Sequence, residues 1–348
     1  MTVLRKSILL FHTVKYLKFI QIYYRVYYIF RRRLRKYFKF HYPLTLSTYS
    51  YPLVLQASIF NKSSVYIDGK NKIFSLLNIN HTFVDCVDWD YSENGKLWLY
   101  NLAYFEYLQN NEIIQKSCIE IMHDFIDNSQ DTQNAFDPYP ISVRTVNWIK
   151  FITHNYIRDK KIDASLRAQY FILLDNLEYN LLGNHLLENG FSLLFGSYYF
   201  RDGGLYRIAK KIITKELKEQ VLRDGAHYEL SPMYHQIILF RILDCINLLS
   251  NNSYQDKELL PFLRKKAELM LSWINNITFK NGDIPLFNDC AFGVSPNTQS
   301  LNKYAKSLKL EMNLNIKNLR ESGYRKFVKP NYEMILDIGN LGPDYING

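Results

Sequence analysis

Between Asp224 and His235 the chain reads DGAHYELSPMYH, which crowds Asp224, His227, Glu229, Tyr234 and His235 into twelve residues. Ser231 followed by Pro232 is a helix start: the hydroxyl can cap a free backbone N–H, and proline's missing donor costs nothing at the first helical position. Tyr234 and His235 therefore fall in a first helical turn, where unpaired N–H groups and the positive end of the helix dipole favour an anion. That anion is either a substrate carboxylate or a tyrosine giving up its proton. Asp224 and Glu229 also qualify as the carboxylate pair of a glycosidase, while Asp224 with Gly225 suits a tight turn at least as well.

Two further stretches place polar groups where a purely structural helix would not want them. In NLEYNLLGNHLLENG, Asn176, Asn180, Asn184 and Glu188 recur every four residues, with His185 and Asn189 beside them. Buried amides need partners, so this stripe faces another helix's polar groups or lines a wet cavity. In DPYPISVRTVNWI, Arg144, Asn147 and Trp148 share one helical face. A guanidinium that forks onto carboxylates, beside an indole that stacks on sugar rings, makes a wall for an acidic sugar. The same three residues would equally tie two helices together. Asn288 and Asp289, in GDIPLFNDCAFG, sit at a turn.

The elements around these residues are mainly helical. Apolar periodicity predicts helices over about 97–109, 111–128, 141–157, 163–182, 184–200, 204–221, 232–250 and 257–277, joined by short polar loops. Such an order implies a mainly α domain of paired antiparallel helices. Residues 41–95 read as irregular, with β-prone pieces such as SSVYI. Turn chemistry marks 281–289, and YRKFVKPNYEMILDIG predicts two short strands around Lys329, Pro330 and Asn331. Three segments follow: an N-terminal arm over 1–45, a helical domain over 46–320, and the start of a β domain over 321–348, which is expected to be cut short at Gly348.

The 348 residues carry a net charge of +10, yet no acid precedes Asp68, and residues 1–67 hold 12 Lys and Arg. Beyond them, 31 basic residues face 33 acidic ones, so the basicity belongs to the arm and whole-chain pI says little about the candidate site. The arm has either of two readings: a basic amphipathic helix on an anionic membrane surface through residues 1–40, or a helix packed on the main domain with solvated charges. Charges interrupt each apolar run well short of the roughly 20 residues of a span. Four scattered cysteines show no paired metal spacing, so neither zinc nor a disulfide framework is expected. No phosphate-binding glycine loop or nucleophile elbow is found, and nucleic-acid binding would rest on the arm alone, so no cofactor and no nucleic-acid partner are expected. The 28 Tyr and 22 Phe suit sugar-binding walls and suit an aromatic core as well.

Taken together, WLYNLAYFEYL at 98–108, YPISVRTVNWI at 139–149, LEYNLLGNHLLENG at 177–190, EQVLRDGAHYELSPMYH at 219–235, GDIPLFNDCAFG at 282–293 and ESGYRKF at 321–327 resemble the N-terminal domain of the heparinase II/III-like polysaccharide lyases. That group includes alginate lyase-like proteins encoded near surface-polysaccharide genes. The resemblance implies an incomplete α/α toroid followed by an antiparallel β-sandwich, with an acidic polysaccharide cleaved by β-elimination in the groove between them. By position, Asn184 or His185 matches the group that neutralises the uronate carboxylate. Tyr234 matches the tyrosine that takes the C5 proton or protonates the leaving oxygen, and a phenol needs help from the helix N-terminus for the first role. A further histidine of the family lies in the β domain, so this chain is expected to hold an unfinished site. Arg144, Asn147, Trp148, Asn180, Glu188, His227, Glu229, His235, Asn288 and Asp289 are the expected substrate-binding set. A carbohydrate-binding or vestigial domain and an α/α-toroid glycoside hydrolase are the alternatives. The periplasm is the compartment the resemblance implies; the arm has no small-residue cleavage site, which leaves the cytoplasm and the inner-membrane surface as alternatives.

Overall fold

In the computed structural model, residues 12, 14–58, 64–110, 113–129, 132, 134–255, 258–311, 319–340 and 342–346 are described. The start of the arm, residues 1–11 and 13, lies outside them, as does Gly348. Ten α-helices are seen among the described residues: α1 (Phe19–Tyr37), α2 (Lys96–Tyr104), α3 (Gln115–Asn128), α4 (Pro138–His154), α5 (Lys160–Asp175), α6 (Gly183–Phe200), α7 (Gly203–Gln220), α8 (Pro232–Asn251), α9 (Leu259–Ile277) and α10 (Thr298–Ser307).

Burial along these helices alternates, and the alternation sets the architecture. In α4, α6 and α8 almost every residue is buried, whereas α3, α7 and α9 bury one stripe at i, i+3, i+4 spacing and expose the rest. A helix apolar all round needs neighbours on every side, and a striped helix covers such a helix from outside. The packing follows: α2, α4, α6, α8 and α10 touch in series, while α3 packs on α5 and α7 on α9. Consecutive helices α4–α5, α6–α7 and α8–α9 pack as hairpins between the two layers. The result is the expected incomplete α/α toroid, with inner helices whose N-termini share one end.

Two small sheets are also seen among the described residues. An antiparallel meander of β1 (Ser64–Asp68), β2 (Asn71–Leu76) and β3 (Ile79–Val84) occupies part of the stretch expected to be irregular. Its second turn places Leu77 and Asn78 both at positive φ, which matches the twist of a two-residue hairpin without the glycine that would have advertised it. Phe74 and Phe83 pack edge-on, and Phe74 meets Tyr107 at 5.3 Å, so the meander caps the end of the toroid near α2. The expected strands around Lys329–Asn331 form as β4 (Tyr324–Val328) and β5 (Glu333–Asp337). The helix α10 was not expected; Asn297 caps it by accepting from the Ser300 N–H at 2.8 Å.

The expected helix 163–182 ends at Asp175 instead. Asn176 turns back, its Nδ2 donating to the Ile172 carbonyl at 2.7 Å, and the chain runs through turns to Gly183. The stripe of Asn176, Asn180, Asn184 and Glu188 is therefore broken over a cap, a loop and the start of α6, and is not one helical face.

Candidate active site

Three inner helices begin beside one another, and each presents a polar ring or amide within its first three positions: Tyr139 in α4, Asn184 and His185 in α6, Tyr234 in α8. At such positions the free N–H groups and the helix dipole favour negative charge. The local geometry follows from the sequence. Ser231 caps α8 by accepting from the Tyr234 N–H at 3.3 Å, and Pro232 takes the first helical position, as expected. The α6 start is more unusual: Leu182 lies at φ 63, ψ −152 and Gly183 at φ 60. A bulky residue at such φ is held by its surroundings and is characteristic of functional segments. Gln220, at the end of α7, donates to the Gly183 carbonyl at 2.9 Å, and its own carbonyl accepts from the Tyr228 N–H at 2.9 Å. The segments carrying His185 and Glu229 are thus tied together through Gln220.

His185 is oriented by Glu178. Nδ1 lies 3.0 Å from Glu178 Oε1, while Asn189 fixes that carboxylate by donating to Oε2 at 2.9 Å and accepting from the Glu178 N–H. The proton therefore sits on Nδ1. Burial pulls the His185 pKa down, the carboxylates of Glu178, Glu229 and Glu188 outweigh it, and the net shift is upward. The ring lies 4.7 Å from Tyr139, which continues through Tyr104 at 5.8 Å to Tyr100 at 6.2 Å as a row of aromatics. Asn184 is half-buried, and its amide has no side-chain partner among the described residues.

Glu229 faces this histidine from the loop before α8. Burial pushes its carboxyl up to about 7, His185 draws it back, and Asp289 adds to the rise. Its Oε1 is buried with no hydrogen-bond partner among the described residues. Tyr234 Oη donates to Asp289 Oδ2 at 3.2 Å. The phenol is pushed up to about 12, first by burial and then by Asp289 and Glu229. Burial and the adjacent carboxylates thus hold the proton on, against the expectation that this tyrosine would be helped to lose it. The Asp289 loop is clipped to α8 at two points, Ser231 Oγ donating to the Asp289 carbonyl at 2.8 Å and Asn288 Nδ2 to the Leu230 carbonyl at 2.9 Å.

Other expected site residues lie elsewhere. Arg144 is wholly enclosed: it donates to Gln169 Oε1 at 2.7 Å and to the carbonyls of Ala103 and Ala135, and its guanidinium lies over Phe125. Asn147 donates to the Tyr104 carbonyl at 2.9 Å, and Trp148 packs among Phe105 and Phe125 in the core. Neither faces a groove; together the three residues brace α4 against α2, α3 and α5. Asn180 contributes its backbone carbonyl to Arg25 on α1. Glu188 is buried and ion-paired to Arg241 at 3.0 Å, with Arg241 reaching Glu106 at 3.3 Å, so this charge network underlies the cluster instead of lining it.

His227 and His235 are also fully buried. The His227 N–H donates to His235 Nδ1 at 3.2 Å, so His235 carries its proton on Nε2, facing the Met270 carbonyl at 3.0 Å. Burial lowers both rings to about 3, and they stand neutral behind the site. Asn288 works as a clip and Asp289 as the tyrosine's partner. Asp224 is bound to Ser322, accepting from its N–H and Oγ at 2.8 Å, and to the Ala226 N–H, which removes it from any carboxylate pair with Glu229. Glu178 and Tyr139 were missed by sequence reasoning. Only the spacing of Glu178, seven residues before His185, hinted at it.

Residues 150–313 match the family model described as Heparinase II/III N-terminus. A search of curated proteins gives no match. Among solved structures, the chain is similar to a crystal structure of heparinase III, with a TM-score of 0.55 and 17% identity over 75% of this chain and 48% of that one. It is also similar to a second heparinase III structure (TM-score 0.53, 16% identity, 74% of this chain and 50% of that one). A third is a heparan sulfate lyase, HepC from Pedobacter heparinus (TM-score 0.49, 15% identity, 76% and 49%). The chain spans about half the length of the solved structures it matches. The resemblance to the heparinase II/III N-terminal domain and the toroid fold it implies are thereby borne out.

Proposed function

We propose that this chain, which carries a heparinase II/III N-terminal domain over residues 150–313, is the helical part of a lyase that cleaves uronic-acid-containing polysaccharide by β-elimination. The observation that carries this reading is the pairing of unlike proton affinities in one cluster. Tyr234 is pushed up to about 12 and stays protonated at neutral pH, while Glu229, raised to about 7, can take up a proton there. Proton donors and acceptors separated in this way are what acid and base roles need.

In this reading the uronate carboxylate lies against the His185 ring, the Asn184 amide and the N-terminus of α6, which stabilise the enolate-like state. The C5 proton passes to Glu229, the C5–H electron pair forms the C4–C5 double bond, and the C4–O bond breaks. Tyr234 gives its proton to the leaving oxygen. The rings of Tyr139, Tyr104 and Tyr100 supply a stacking wall for neighbouring sugar units.

A second reading draws on Asp289, which raises the pKa of Glu229. Two neighbouring carboxyl groups, one of them raised, are also the residue types that a glycoside hydrolase uses. Incubation with uronic-acid polysaccharides separates the two. Chain cleavage with unsaturated, ultraviolet-absorbing ends supports elimination; reducing ends without that absorbance support hydrolysis. Saturable binding of acidic oligosaccharides with no product would favour a carbohydrate-binding module.

A further inference from the structure

Helix α1 is docked with its amphipathic sense reversed. Its polar residues turn toward the domain: Gln21 is buried and donates to the carbonyls of Leu181 and Tyr345, Arg25 to that of Asn180, and Tyr28 to that of Leu177. Arg31 and Arg35 pair with Asp175, and Lys18 with Glu219. Tyr24 stacks on Tyr179 at 4.8 Å. These contacts saturate one face, so the helix is held by its hydrogen bonds and ion pairs.

The opposite face carries Phe19, Tyr23, Val26, Phe30, Leu34 and Tyr37, which recur every three or four residues and so form one stripe. They are exposed, Phe19 by 81%, Phe30 by 61% and Tyr37 by 80%, and Phe38 and Phe40 extend the apolar surface past the helix end. A soluble surface seldom leaves so continuous an apolar stripe uncovered. The exposed bases that cluster toward the C-terminal end of the helix say what would cover it. Arg32, Arg33, Lys36 and Lys39 are exposed and make no ion pair among the described residues, and no acid occurs before Asp68. An aromatic stripe that ends in a cationic cluster, with no anions, complements the headgroup region of an anionic bilayer, where rings sit at the interface and bases meet lipid phosphates. A second copy of the same face would instead bring these cations together, which like-charge repulsion opposes.

We infer that α1 is a membrane-surface anchor, laying its Phe19–Tyr37 stripe into the interface of anionic phospholipid and holding the toroid against that surface. No helix among the described residues is long and apolar enough to cross a membrane; the proposed contact is peripheral because one face of α1 stays bonded to the domain. The test is co-sedimentation of the intact chain with phosphatidylcholine vesicles, with and without phosphatidylglycerol. Binding is expected only with phosphatidylglycerol and is expected to weaken with added salt. A Y23S/V26S/F30S variant should lose it. In an R32Q/R33Q/K36Q variant it should fall roughly 100-fold, since each base near an anionic surface contributes about fivefold. None of these six side chains holds α1 to the domain, so both variants should keep the parent's thermal melt. Equal binding to both vesicle types, or binding unaffected by either variant, overturns the inference. So does absence of vesicle binding together with a dimer, seen by analytical ultracentrifugation, that Y23S/V26S/F30S dissociates.

Discussion

Tyr234 Oη and Asp289 Oδ2 lie 3.2 Å apart, and this hydrogen bond joins the first turn of α8 to a loop 55 residues further along the chain. Its electrostatic sense decides what the tyrosine can do. A carboxylate beside a half-buried phenol holds the proton on, so Tyr234 is a proton donor near neutral pH and a poor base.

Replacing Tyr234 by Phe is therefore expected to lower turnover on a uronic-acid polysaccharide by about 10²- to 10⁴-fold, the usual contribution of a positioned acid, while leaving oligosaccharide affinity nearly unchanged. Asp289→Asn removes the charge that raises the phenol, so the alkaline limb of the rate–pH profile should move to lower pH. Steady-state kinetics across pH check both. An Asp289→Asn profile that matches the parent's would sever the link between the two residues.

Glu229 makes a stability prediction with a definite sign. Its folded-state pKa of about 7 lies above the ordinary value of 4.5, so the folded state binds its proton more tightly than the unfolded chain. Stability is therefore lost as pH rises from 4.5 to 7, and the cost persists above that. Glu229→Gln should stabilise the protein at pH 8 by about 3 kcal/mol, from 1.36 kcal/mol per pKa unit over the shift from 4.5 to about 7, and should have little effect at pH 4.5. Thermal melts at the two pH values decide it.

The buried pair His227 and His235 has the opposite dependence. Both folded-state values stand near 3, below the unfolded 6.5, so unfolding takes up protons between those limits. Stability should fall as pH drops below about 6, with a slope near 1.4 kcal/mol per pH unit for each histidine. Urea titrations from pH 7 to pH 4 measure it, and a flat profile would mean that the rings are not buried as neutral species.

The turn that sets the Glu229 segment is tested by Gly225. It sits at φ 95, and an added Cβ would meet the Leu269 carbonyl oxygen at 2.2 Å. Gly225→Ala should destabilise by about 2–4 kcal/mol, as backbone strain and a clash against main chain combine. Asp224→Ala leaves the buried Ser322 N–H without its acceptor and should cost about 1–3 kcal/mol. Denaturant midpoints of the two variants provide the check.

Local chemistry carried much of the architecture in the sequence. The apolar periodicities of α4 and α6 to α9, the Ser231–Pro232 helix start and the Lys329–Asn331 turn each depend on residues within a few positions of one another. Backbone propensity and capping act over that range, so the chain alone determined them. The helix expected over 163–182 failed at Asn176, where a side chain competed with the backbone for the Ile172 carbonyl.

Whether a polar residue is a ligand or a brace was a matter for tertiary packing. Arg144, Asn147 and Trp148 have the types and spacing of a sugar-binding wall, yet α4 is enclosed on all sides, and they serve its neighbours. The outward turn of the α1 stripe was hidden in the same way, since its direction depends on Asp175, Asn180 and Leu181, far along the chain. The proton affinities of Tyr234 and Glu229 were equally undetermined by sequence. They depend on burial and on charges that only the folded toroid brings within range, because solvent screens the same groups in an open chain.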